Sequence, residues 1–254
     1  RIPLQGGMPQ PEADDVRWVC AFEGGSVSGA VARVTLPRGG QPVAAEGVRA
    51  ALDLDVRAVL QAFRTLLPLP AGAAAEGRLL LNLTAEVAGG AAEGKFTAAG
   101  RGLALQTTAW SAREPDARAE GALSFDDAGG TAGLANLSFT ARAARIAVPR
   151  LRVRGLRGGG PLAVDGAADV SADLGEVSRW RRPSRDGAAP PQIDGSLRLR
   201  LDAAAAPGGT RLALDGALDG LSFAPARGRG RLREKRVALK GAAVLAADAR
   251  TLEL

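Results

Sequence analysis

Apolar and polar residues alternate with a period of two over much of the chain. After Gly77, Leu79, Leu81, Leu83, Ala85 and Val87 fall on one side, with Arg78, Asn82, Thr84 and Glu86 on the other. Leu80 is the exception. After Gly195 the run Ser196-Leu197-Arg198-Leu199-Arg200-Leu201-Asp202 repeats the pattern without a fault. Such alternation is what a strand with one apolar and one solvated face requires. Further strands are predicted at Trp18–Glu23, Val27–Leu36, Phe96–Ala98 with Leu103–Thr108, Leu134–Ala141, Leu151–Arg154, Leu162–Val164, Arg211–Asp215, Leu218–Phe223 and Val237–Leu239. Gly-Gly pairs at 24–25, 39–40, 89–90, 129–130 and 208–209 separate many of them, as hairpin turns would.

Two segments depart from the period of two. Asp55 precedes Val56, Val59, Leu60, Phe63, Leu66 and Leu67, an i, i+3, i+4, i+7 stripe closed by Pro68 and Pro70. The spacing predicts an amphipathic helix over 56–67, with Asp55 as its N-cap. A weaker copy runs from Asp173 through Leu174, Val177 and Trp180 to Pro183 and predicts a helix near 174–182.

These landmarks recur at one offset. Gly47 and Gly166 lie 119 residues apart, while Asp55 and Asp173, Gly77 and Gly195, and Gly102 and Gly220 lie 118 apart. Gly121 and Gly241, each heading an apolar run, lie 120 apart. The order of strand, helix, Pro-rich link, strand, strand is therefore used twice. The reading divides the chain into 1–42, the tail of a preceding repeat; 43–160, unit one; and 161–254, an incomplete unit two. The termini read as cut from a longer protein. A repeat whose sheet is apolar on one face must stack, fold over on itself or hold an apolar ligand.

Composition narrows the possibilities. Of 254 residues, 46% are hydrophobic but only 4% aromatic, with no Tyr, so Leu, Val and Ala supply the apolar surface. Small side chains fill a thick core poorly, which favours a thin, extended structure. The formal charge is +6, carried almost wholly by Arg; basic clusters lie at Arg150–Arg154, Arg179–Arg182 and Arg227–Arg236. They read either as solvated strand faces or as contacts for anionic lipid headgroups. Aromatic interleaving is sparse, and no nucleic-acid partner is expected. The absence of His and the single Cys20 exclude Ser-His and Cys-His nucleophile pairs, internal disulfides and most zinc sites. No phosphate loop or dinucleotide fingerprint occurs; neither an enzyme nor a cofactor is expected. No run approaches the roughly 18 to 20 apolar residues that cross a bilayer, so any membrane anchor is expected outside this chain.

The acidic helix start, the helix closed by Leu67-Pro68, and Gly77-Arg78-Leu79-Leu80-Leu81 together resemble the repeating texture of the AsmA and TamB-like envelope proteins. The second unit repeats it as Asp173-Leu174, Pro183 and Gly195-Ser196-Leu197-Arg198-Leu199, with Ser178 and Ser184 where unit one has Leu60 and Leu66. The resemblance implies a mainly β fold: an extended, curved antiparallel sheet, taco- or groove-like and built from repeats. It implies a non-catalytic periplasmic segment of a diderm cell envelope, anchored in the inner membrane. Its apolar groove would carry phospholipid between membranes or support outer-membrane assembly. The residues expected to meet acyl chains are Leu79, Leu81, Leu83, Val87, Leu197, Leu199, Leu201, Leu212 and Leu214; Arg179, Arg181 and Arg182 are expected to meet headgroups. The alternative is a structural or adhesive β-repeat protein in which the same apolar faces are closed, packed cores.

Overall fold

The computed structural model describes residues 12–35, 43–62, 73–107, 110–157, 162–180, 191–206, 209–225, 230–246 and 252–253. Alternating sequence and frequent turns produce an up-and-down meander. The strands are β1 (Glu12–Phe22), β2 (Gly25–Thr35), β3 (Ala44–Asp55), β4 (Ala74–Ala88), β5 (Ala91–Gln106), β6 (Ser111–Asp126) and β7 (Thr131–Thr140). They continue as β8 (Ala144–Arg154), β9 (Ala163–Asp173), β10 (Gln192–Ala206), β11 (Gly209–Ala224), β12 (Leu232–Ala246) and the short β13 (Leu252–Glu253). Each pairs antiparallel with its neighbours in sequence, giving one unclosed, curved sheet in the order β1 to β13. At about 4.8 Å per strand, the twelve long strands span roughly 55 Å.

Two helices interrupt the meander, α1 (Val56–Ala62) between β3 and β4 and α2 (Leu174–Ser178) between β9 and β10. The predicted caps form. Asp55 Oδ1 accepts from the Arg57 and Ala58 amides at 2.9 and 3.2 Å, and Asp173 Oδ1 accepts from the Glu176 amide at 3.1 Å. The second helix is shorter than its stripe suggested: Arg179 is its C-cap and Trp180 lies in a turn. Too few apolar positions follow Val177 to hold another turn against the sheet. Residues 63–72 and 181–190, which include the distal parts of both predicted helices, lie outside the described residues.

Several predicted strands merge. Phe96–Ala98 and the Leu103–Gln106 part of the second predicted run belong to β5, Thr108 lying outside the described residues, and Arg211–Asp215 and Leu218–Phe223 belong to β11. The breaks in alternation that divided them are glycine irregularities within continuous strands. Gly102 and Gly220 adopt φ of +58° and +62°, a left-handed conformation that a side chain would strain, so each kinks its strand without ending it. The strand β6 was not predicted. Its apolar side is Ala117, Ala119 and Gly121 before Leu123, too small to register as alternation.

The repeat is visible in the elements themselves. The series β3, α1, β4, β5, β6 recurs as β9, α2, β10, β11, β12 at offsets of about 118 to 121 residues. The hairpin β1–β2 recurs as β7–β8 at an offset of 119. The sheet thus reads as two six-stranded copies, β1–β6 and β7–β12, joined edge to edge by the β6–β7 ladder.

Candidate functional site: an uncovered apolar face

Register decides which side chains share a face. One lateral row runs Cys20, Val27, Leu52, Leu81, Ala98, Ala119, Phe139, Ile146, Val170, Leu199, Gly216, Leu239, each the cross-strand partner of the next. No polar side chain enters it across twelve strands. The neighbouring row, one residue along each strand, contains Ser28, Asn82, Thr97, Glu120, Ser138, Asp169, Arg200, Asp215 and Lys240. One face of the sheet is therefore apolar and the other charged.

The nine residues expected to form an apolar lining all occupy the apolar face. Leu79 is paired with Leu54 and Gly100, Leu81 with Leu52 and Ala98, Leu83 with Ala50 and Phe96, and Val87 with Ala45 and Ala92. In the second copy Leu197 lies between Ala172 and Leu218, Leu199 between Val170 and Gly216, and Leu201 between Ala168 and Leu214. Leu212 lies between Ala203 and Ala243, and Leu214 between Leu201 and Gly241. Reading β4, β10 and β11 alone missed the rest of the row. Phe139, Ile146 and Val170 continue the surface through β7, β8 and β9, and their alternation with Ser138, Arg145 and Asp169 was legible in the sequence.

No second layer covers this face among the described residues. Among the described residues only five apolar side chains are buried anywhere, Ala75, Ala117, Ala143, Val148 and Ala217, and four of the five are alanine. Leu79 and Leu201 keep 40% and 41% of their surface in contact with solvent. The whole chain exposes 16,978 Å², against about 10,500 Å² expected of a compact monomer of this mass. Large and small residues interlock laterally: Trp18 lies over Gly29, and a Cβ at Gly121 would sit 2.9 Å from the Phe96 ring. These neighbours make the surface smooth without burying it.

The charged face is organised by cross-strand ion pairs. Arg78 Nε meets Asp53 at 2.6 Å, Arg198 and Arg236 meet Asp219 at 3.4 and 3.8 Å, and Arg154 pairs with Asp165. The hydrogen bond from Arg78 holds the Asp53 carboxyl below its ordinary pKa. For Asp165 the main cause is the Ala205 amide, which donates at 2.9 Å, and Arg154 adds to it. Four depressions are carved between strands, and their polar lining residues belong to this face. One of about 690 Å³ is bordered by Arg145, Asp169, Arg198, Arg200 and Asp219. Of the nine predicted lining residues only Leu199 borders any of the four. With Leu79 and Leu201 exposed and no second layer over it among the described residues, the apolar face is an open surface.

Of the expected headgroup contacts, Arg179 caps α2 and pairs with Glu176 at 2.5 Å, and Glu176 also binds Arg142 at 3.1 Å. Arg181 and Arg182 lie outside the described residues. Both helices sit at the rim of the sheet that carries the β1–β2 and β7–β8 turns: a Cβ on Gly24 would strike Ala58, and the Asp173 amide donates to the Ala143 carbonyl at 2.9 Å. No helix among the described residues is long and apolar enough to cross a membrane.

No protein-family model, curated protein or solved structure shows a significant match to this chain.

Proposed function

We propose that the apolar face is a surface for phospholipid acyl chains, and that the chain is a segment of an AsmA or TamB-like bridge between the membranes of a bacterial envelope. The observation that carries this reading is the unbroken apolar row from Cys20 to Leu239 with no protein layer over it among the described residues. A sheet with one apolar face is stable in water only when that face is covered. An acyl chain gains about 0.8 kcal/mol per buried CH₂. Apolar stations at every strand of the row, from Cys20 to Leu239, keep that gain from being interrupted by a polar group, so a chain can slide without meeting a charged barrier. The charged face, tied together across strands by Arg–Asp pairs, remains in water. Arg179 stands at the end of α2, where anionic headgroups would meet positive charge, and the sequence places Arg181 and Arg182 next after Trp180. The chemistry is non-covalent throughout, and periplasmic placement with inner-membrane anchoring belongs to the same proposal.

The test is extraction of lipid from the purified chain, handled without detergent, followed by mass spectrometry. Phospholipid at a reproducible ratio to protein is the expected result. Lipid-free protein with a cooperative melt would turn the reading to the alternative, a structural β-repeat whose apolar face is closed by protein.

A further inference from the structure

The charged face carries a row of arginines at the centre of the sheet, on β8. Arg145, Arg150, Arg152 and Arg154 all project on that side, because an extra residue between Ala147 and Arg150 absorbs the odd spacing. Arg154 pairs with Asp165. Arg145, Arg150 and Arg152 are exposed, and among the described residues no carboxylate lies within ion-pair distance of them. Their neighbours explain this. From β7 they face Thr140, Ala135 and Gly133, and from β9 Ser171, Ala167 and Asp165. The Asp165 carboxylate is already held by Arg154 and by the Ala205 amide, and Asp169 lies 3.8 Å from Arg200. The repeat does not require these charges. The counterpart strand β2, at the offset of 119, has Ser26, Val31 and Arg33 in their places, and Arg33 is paired with Asp14 at 3.2 Å.

Beside this row the same side of β7 is small and uncharged throughout: Thr131, Gly133, Ala135, Ser138 and Thr140. A trough one strand wide therefore runs along β7, with the arginines as one wall. Two of the four depressions lie in it. One of about 470 Å³ is bordered by Gly133, Ala135, Arg150 and Arg152, and the one of about 690 Å³ by Ser138, Thr140 and Arg145. On its far side the smaller depression meets Glu93 and Asp126.

We propose that this trough binds an extended segment of a partner protein with acidic residues at alternate positions. Alternate residues of an extended chain recur about every 6.7 Å, which is also the spacing of Arg150 and Arg152 along their strand, so successive carboxylates meet successive guanidinium forks. Glu93 and Asp126 repel acids from the other wall, so the intervening residues are uncharged or basic. Hydroxyls of Thr131, Ser138 and Thr140 supply polar contacts along the floor. The arginines are open to solvent, so binding weakens as salt rises. The trough lies on the face opposite the acyl-chain surface and does not depend on what that surface holds.

The test is fluorescence anisotropy of the full chain with a labelled peptide of alternating Glu and Thr. Binding at low salt that fades with added salt is expected, and no binding at low salt would overturn the proposal. Arg150→Gln with Arg152→Gln is expected to weaken binding at least about tenfold. Arg49→Gln with Arg211→Gln removes as much charge from β3 and β11 and is expected to change it less than about twofold. Equal losses in the two double variants would mean diffuse attraction and would overturn the site. A peptide of the same composition with its Glu residues in one block is expected to bind more weakly; equal affinity would overturn the alternating register. Arg150→Glu with Arg152→Glu is expected to transfer the preference to alternating Lys and Thr, a gain that loss of folding cannot mimic, and the absence of that transfer counts against the trough. Polyphosphate binding more tightly than the Glu-Thr peptide, with the same dependence on Arg150 and Arg152, would make the ligand a phosphate polymer and overturn the peptide assignment.

Discussion

A charge placed at Leu81 separates an open lipid-binding face from a packed core. Leu81 sits mid-strand between Leu52 and Ala98, half-buried by its lateral neighbours and covered by no second layer among the described residues. Full burial of a leucine side chain gives about 1.5–3 kcal/mol, so an acyl chain closing over the exposed half contributes roughly 1 kcal/mol. Aspartate forfeits that gain. It also places a carboxylate beneath hydrocarbon, which costs several kcal/mol unless the lipid withdraws. Lipid loading should therefore fall by at least about tenfold, since 1.4 kcal/mol is a factor of ten. The fold should lose only the lateral contacts, about 0.2–1 kcal/mol, because on an open face the carboxylate keeps its water. Under a packed second sheet the same substitution would cost more than about 3 kcal/mol. Leu81→Asp, Leu199→Asp and the double variant would be compared with wild type by lipid mass spectrometry, circular dichroism and urea unfolding. Both leucines lie in one row, so the double variant should carry the least lipid. Unfolding by Leu81→Asp alone, or undiminished loading in all three variants, would refute the reasoning.

Three further outcomes follow from the geometry. Gly121→Val should lower stability by about 1–3 kcal/mol, read as the urea midpoint, because its Cβ would crowd the Phe96 ring. Asp173→Ala should remove the α2 cap and cost about 1 kcal/mol, with Asp173→Asn recovering most of it. The Asp53 and Asp165 carboxyls titrate below their ordinary range, so their contribution is complete above the unfolded carboxylate pKa of about 3.9 and is lost as pH falls through the lower folded values. Unfolding midpoints should be flat towards neutral pH and drop in acid, and Asp53→Asn should make that acid drop shallower.

The legible parts of the fold were those written in large side chains. Leucines at every second position announced β4 and β10, and the aspartates before α1 and α2 announced two capped helices. The strand β6 was not legible because Ala117, Ala119 and Gly121 give an apolar side without bulk. The merged strands β5 and β11 looked broken because Gly102 and Gly220 interrupt alternation while leaving the hydrogen-bonded ladder continuous. The leucine runs named the apolar face on three of its twelve strands, β4, β10 and β11; Phe139, Ile146 and Val170 joined it once register placed them beside Ala119 and Leu199.

By itself, the sequence determined a β-rich chain with two short capped helices, a period near 119 residues and strands apolar on one side, because these depend on local spacing and on turn residues. Only the tertiary structure decided that the strands form one sheet, that their apolar sides align in a row twelve strands wide, and that no second layer lies over it among the described residues. Alternation says that a strand has an apolar side, but the neighbour that side receives is set by long-range pairing. The hairpin β1–β2, read from sequence as the tail of an earlier unit, is the counterpart of β7–β8 at the tail of unit one.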